Sequence, residues 1–218
     1  MRELYENLRN TEYGQTLESN VRWGTFKPEW MTSGAWERLL GPDVNNYRHM
    51  KFMAGLTDEY LSEAEQSNFG FTEEDADLLK ATAWVHDFAE AIDGDIPDPL
   101  KEHTVQAYEA ERKSLITVLG SVTESPEEVA DLVIPVMQGR SELSVHWRCI
   151  EQLGYLKTTD RAGVQADRMN DVQQEFNLTF TQAQELQSQL VKMNLQTGTL
   201  IRKELEQFNW IPMVRALQ

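Results

Sequence analysis

Apolar residues in this chain recur at spacings of three and four, the period of an α-helix, along nearly its whole length. Period-two alternation rich in β-branched residues is scarce. The one Asp-Gly pair, Asp93-Gly94, follows a helical stretch instead of joining two strand-like runs. This pattern predicts an all-α fold of roughly six to eight helices. It shows no internal repeat, no low-complexity segment and no clear domain boundary.

Local signals divide the chain. Residues 2–10 and 35–40 read as short helical pieces, separated by VRWGTFKPEWMTSG, whose Trp23, Phe26 and Trp30 are expected to cover the core. Residues 45–65 form an amphipathic helix on Phe52, Met53, Leu56, Tyr60 and Leu61. Thr72 with Asp75 three positions on is close to a capping box, opening a helix expected to run unbroken through residue 92. Gly94 should stop it, and Pro97 and Pro99 prevent its resumption. Residues 100–119 read as a charged amphipathic helix. Ser125 followed by Pro126 should cap and start another, with Pro135 ending or kinking it near residue 134. Residues 142–170 and 179–208 complete the helical set. One domain is expected over residues 1–218: a core at about 45–171, an N-terminal extension at 1–44 and additional C-terminal helices at 172–218.

Composition narrows the function classes. Twenty Lys and Arg against 36 Asp and Glu leave a net charge of −16. Nucleic acid polymers and anionic membranes both call for a basic face, so neither is an expected partner. The single Cys149 excludes an internal disulfide framework and a CxxC site. No apolar run approaches the ~20 residues that span a bilayer, and MRELYENLRN lacks the apolar stretch of a signal peptide. A soluble, cytoplasmic protein is the expectation.

The strongest local constellation is His86-Asp87 with Glu90. On a helix, positions 86 and 90 and positions 87 and 90 share a face. Trp84, Val85 and Phe88 crowd the same turn, and buried charges need a partner or a metal. His49 lies in line with Phe52, Met53, Leu56 and Tyr60, where a lone His is more often a hydrogen-bonded core residue than a ligand. Asp160 lies on a late helix with Asp167 and Asp171 near its face, and taken alone reads first as part of a solvated acidic stripe. Taken together, one His, a His-Asp pair and a distant Asp on three helices make an N,N,O,O donor set. Such a set suits one divalent ion with open water positions: Mn, Co, Fe, Ni, Zn or Mg.

The H…HD…D order on a helical chain resembles the HD-domain metal-dependent phosphohydrolases. The likeness tightens over the sixteen residues HDFAEAIDGDIPDPLK, at 86–101. This stretch is similar to the His-Asp, small pair, Glu, Gly-Asp-x-Pro-x-Pro-x-Lys run of the HD-domain 5′-deoxynucleotidases. The matching positions are His86, Asp87, Glu90, Gly94, Asp95, Pro97, Pro99 and Lys101, while Phe88-Ala89 departs from the small pair. YLKTTDRAG resembles the segment that supplies the family's last metal-binding Asp, and Arg22-Trp23 resembles an Arg-Trp pair whose Arg contacts the phosphate.

The resemblance covers about residues 45–171. It implies a single HD-type helical bundle with His49, His86, Asp87 and Asp160 as metal ligands. Glu90 and Asp95 would position or deprotonate the attacking water. Arg22 and Lys101 would bind substrate, with Arg48 a further candidate. The implied activity is removal of phosphate from (deoxy)nucleoside monophosphates. One alternative is a deoxynucleoside triphosphate triphosphohydrolase of the same family. Another is a dinuclear-iron oxygenase that recruits His103 and His146, and a third is a non-catalytic nucleotide-binding module. The C-terminal Trp210-Ile211-Pro212-Met213-Val214 is apolar enough to dock on this chain or on a second copy as a homodimer.

Overall fold

A computed structural model describes residues 1–24, 27–66, 70–95, 104–167 and 181; the side chains of 156, 159–160 and 162–167 lie outside that description. The protein is all-α. Its elements are α1 (Arg2–Leu8), α2 (Glu12–Ser19), α3 (Ser33–Leu40), a 3₁₀ turn at Gly41–Asp43, α4 (Asn46–Gln66), α5 (Glu73–Val85), the single-turn α6 (Glu90–Asp93), α7 (Val105–Leu119), α8 (Pro126–Met137) and α9 (Ser144–Asp167). Among the described residues the one pairing of extended chain is an isolated antiparallel bridge between Val21 and Asn45.

Long α4 is the organising element, lying against α2, α5 and α9, with α8 closing on α5 and α9. Tyr5, Leu8 and Leu17 from the first two helices bury against Tyr47, Met50, Val85 and Phe88 and against the apolar faces of α7 and α8. Met53, Ala54, Leu56 and Tyr60 bury against Leu79, Ala83, Trp147 and Ile150. Trp36, Leu39 and Leu40 of α3 form a smaller cluster, against which Trp23 and Trp30 are half-buried. Phe26 lies outside the described residues. The first two helices thus fill the same core as later helices, and the loop at residues 20–24 reaches Asp87 and Asp95 through Arg22 and the Trp23 N–H.

Several sequence expectations change. The stretch 12–19, not anticipated as a helix, is α2, capped by Thr11, whose hydroxyl accepts the Gly14 N–H at 3.1 Å. The capping box at Thr72 and Asp75 forms, but the helix it opens does not run unbroken to residue 92. At residues 86–89 the hydrogen bonds shorten to three-residue spacing: Phe88 N–H to the Val85 carbonyl and Glu90 N–H to the Asp87 carbonyl, both 3.0 Å. A 3₁₀ turn stacks positions three apart, so Asp87 and Glu90 fall in register. Phe88, fully buried in the core, anchors this turn from below. Gly94, at φ 80°, ends α6 where an L side chain would be strained.

Pro135 does not end its helix. α8 continues through it to Met137, and the Pro135 carbonyl accepts from Arg140 N–H and the Ser144 hydroxyl. Pro126 starts α8 as expected, although the Ser125 side chain makes no capping bond. The helix expected from residue 100 begins at Val105 with Thr104 as its cap, and residues 100–103 lie outside the description. The 179–208 helix, apart from residue 181, and the 210–214 segment also lie outside it.

Candidate metal centre

Three elements converge beneath the N-terminal loop. The first turn of α4 carries His49. The 3₁₀ turn after α5 carries His86 and Asp87. Single-turn α6 and the residue after Gly94 carry Glu90 and Asp95. The His49 and His86 rings stand edge to face with centroids 5.2 Å apart. His49, His86 and Asp87 each offer a ligand atom, all within 4.8 Å of one another, and all three residues are buried. This group could bind a metal ion.

Hydrogen bonding determines which nitrogens face inward. His49 Nδ1 meets Asp43 Oδ1 at 2.5 Å. An ionised carboxylate only accepts, so that nitrogen carries the proton and Nε2 is the nitrogen turned toward the group that could hold a metal ion. His86 Nδ1–H donates to the Ala83 carbonyl at 3.1 Å. His86 Nε2 is buried without a hydrogen-bond partner and lies 3.3 Å from Asp87 Oδ1. Burial pushes the His86 imidazole down to about 4, so it is neutral near pH 7, the form that ligates. An orphaned, neutral, buried nitrogen beside a carboxylate fits a cation's donor set.

Arg22 occupies the other side. Its Nη1 donates to Asp87 Oδ2 at 2.9 Å and lies 3.8 Å from Asp95 Oδ1, while Nε stands 3.6 Å from Asp43 Oδ1. Burial alone would lower this guanidinium, yet Asp43 and Asp87 hold it above its ordinary value. The backbone around it is clamped. Arg22 N–H donates to the Val44 carbonyl at 3.0 Å, and the Trp36 indole N–H donates to the Arg22 carbonyl at 3.3 Å. Trp23 sits at φ 58°, a conformation a Trp adopts at a cost, and its N–H donates to Asp95 Oδ2 at 3.2 Å.

Among the described residues, the Arg22 guanidinium lies amid Asp43, Asp87, Glu90 and Asp95, the first three buried. Burial would raise the Asp43 carboxyl, but His49 and Arg22 hold it below its usual range, so it stays ionised. Burial raises the Asp95 carboxyl above its ordinary value, against the opposing pull of Arg22. A cation held by His49, His86 and Asp87 would lie amid these carboxylates, which favour it.

The structure therefore brings together His49, His86, Asp87, Arg22, Glu90 and Asp95 from the sequence-derived set. Asp160 lies on α9, two residues beyond Thr158, whose hydroxyl donates to Asp43 Oδ2 at 2.6 Å; the Asp160 side chain lies outside the described part. Lys101 and His103 lie outside the described residues. Arg48 is exposed at the start of α4. His146 stands apart from the metal-capable group, with Nδ1 2.8 Å from the Tyr60 hydroxyl and its ring 4.8 Å from Phe71.

Sequence reasoning missed Asp43 and Thr158. The first precedes His49 by six residues across a turn and the second follows it by 109, so no helical face links either to it. The one available signal was an acidic residue in Gly41-Pro42-Asp43, just ahead of a histidine-bearing helix.

The fold and site define a helical protein with a buried His-His-Asp group able to hold a metal ion. Comparison with family models, curated proteins and solved structures gives no match. No helix among the described residues is long and apolar enough to cross a membrane.

Proposed function

We propose that this protein is a divalent-metal-dependent phosphohydrolase that removes phosphate from (deoxy)nucleoside monophosphates. The observation that carries this reading is the Nε2 of buried His86, without a hydrogen-bond partner, beside His49 and Asp87 in a group that could hold a metal ion. The likeness of residues 86–101 to the HD-domain 5′-deoxynucleotidases supplies the substrate class.

His49, His86 and Asp87 would hold the ion, with Asp160 completing the set by that likeness. A bound divalent ion lowers the pKa of water and offsets phosphate charge, which a protein at −16 otherwise repels. Glu90 and Asp95 flank the group from the same short segment, and a carboxylate in that place orients water or takes its proton. Burial lifts Asp95 towards the range where a carboxylate is a better base. Arg22 is the described cation best placed to meet a phosphate oxygen, and it holds Asp87 in place meanwhile. Lys101 is a second substrate contact by the same likeness, and a deoxynucleoside triphosphate substrate would use the same metal set.

A phosphate-release screen over nucleoside mono- and triphosphates tests this, run with Mn, Co and Mg and with chelator. Metal-dependent release that is lost in His86→Ala is the expected result. Full activity of His86→Ala in metal-controlled buffer would refute the mechanism.

One observation favours a second reading. The 2.9 Å contact between Arg22 and Asp87 gives that carboxylate a cation already. A non-catalytic nucleotide-binding module would use Arg22 in the metal's stead. Binding of nucleotides without metal uptake or turnover would select it. The dinuclear-iron alternative needs His146 near the first ion, and the Tyr60 and Phe71 contacts hold that ring elsewhere.

A further inference from the structure

Resting on the proposed metal site, we infer that Asp43 is its positioning residue: it fixes His49 in the tautomer that turns Nε2 toward His86 and Asp87. Three observations support this. Asp43 is fully buried, and its Oδ1 meets His49 Nδ1 at 2.5 Å. Its other oxygen accepts the Thr158 hydroxyl at 2.6 Å, which ties the carboxylate to α9. Arg22 Nε stands 3.6 Å from Oδ1 in an ion pair that favours the charged, accepting carboxylate.

A carboxylate, imidazole and metal in series is the arrangement in which an outer group orients a ligating ring and raises its basicity. The two histidines are oriented by different means. His86 relies on the Ala83 carbonyl of its own turn, four positions from residue 87. His49 relies on a side chain from a different element, and Asp43 is also the point where the Arg22 loop, α4 and α9 meet. Loss of Asp43 should therefore disturb one imidazole and leave the other alone, which separates positioning from general loss of structure.

The replacement chemistry sharpens the test. In Asp43→Asn the amide oxygen faces the two donors, His49 N–H and Arg22 Nε–H, and the amide NH₂ turns to Thr158 Oγ1, which can accept. The His49 tautomer is then retained. In Asp43→Ala nothing holds the proton on Nδ1.

The test is ¹⁵N NMR of the imidazole nitrogens in metal-free full-length protein, with cobalt(II) affinity followed by its absorption. Wild type should show both His49 and His86 protonated at Nδ1. Asp43→Ala should move the His49 proton towards Nε2, leave His86 unchanged, and weaken cobalt binding roughly 10- to 100-fold. Asp43→Asn should keep the tautomer and lose less affinity than the alanine variant. A wild-type His49 protonated at Nε2 overturns the inference even if Asp43→Ala does not fold. So does cobalt affinity in Asp43→Ala equal to that of wild type. A wild type that binds no cobalt yet shows the Nδ1–H form at His49 overturns the metal reading and leaves the tautomer assignment standing.

Discussion

Two histidine-bearing regions share α4 and behave differently. At the start of α4, His49 and His86 share a buried site with Asp43, Asp87 and Arg22. About three turns along α4, Tyr60 meets His146 of α9 in a surround that includes the Phe71 ring. Burial lowers both His86 and His146, so both rings favour the neutral form. What separates them is the company. Beside His86 a carboxylate approaches the free nitrogen; at His146 a hydroxyl satisfies Nδ1. Trp147 lies between the two regions, its ring 4.9 Å from His86 and its chain neighbour being His146. Burial alone makes a core histidine; burial beside a carboxylate and a second imidazole makes one that could hold a metal ion.

The largest effect should come from emptying the first region. His86→Ala or Asp87→Ala is expected to abolish metal uptake in equilibrium dialysis and hydrolysis with it, while His146→Ala keeps metal uptake. Equal losses in all three would erase the distinction. Next is pH. In chelator, the unfolded chain takes up protons below its ordinary histidine pKa of about 6.5, whereas folded His86 resists until about 4. The His86 contribution to stability is therefore full above pH 6.5 and is lost as pH falls through that window, by about 3 kcal/mol. Denaturant melts at several pH values check this: His86→Phe should flatten the profile more than His146→Phe does.

Gly14 offers a control outside both regions. A Cβ there would lie 2.1 Å from the Leu8 carbonyl oxygen, so Gly14→Ala should cost about 1–3 kcal/mol in thermal unfolding with metal affinity unchanged in the folded fraction. The smallest effect is expected from Tyr60→Phe. Removing the hydroxyl should cost about 1 kcal/mol and leave cobalt affinity untouched. A shift in affinity would mean the two regions are coupled through Trp147.

Much of the helical framework was legible because helix signals are local. The Thr72–Asp75 box, Pro126 at a helix start, Gly94 at a helix end and the apolar spacing of α4 each act within a turn or two. The exceptions are also instructive. Pro135 lies inside α8 despite its missing N–H because its flanking residues Ile134 and Val136 are buried in the core. The break at residues 86–89 is invisible to periodicity, since its backbone stays near helical angles and only the hydrogen-bond spacing changes. His49, His86 and Asp87 were legible as donor types, but their meeting was an expectation drawn from a resemblance.

Chain chemistry alone determined that this protein is helical, acidic and equipped with a His-Asp pair amid apolar neighbours, because periodicity, charge and residue type are properties of short windows. Tertiary structure decided the rest. It turned Asp43 onto His49 from the preceding turn, carried Arg22 across 65 residues to Asp87, and sent His146 to Tyr60 instead. Such contacts depend on how helices pack around a common core, and a buried charge selects its partner by distance in space, whatever the separation along the chain.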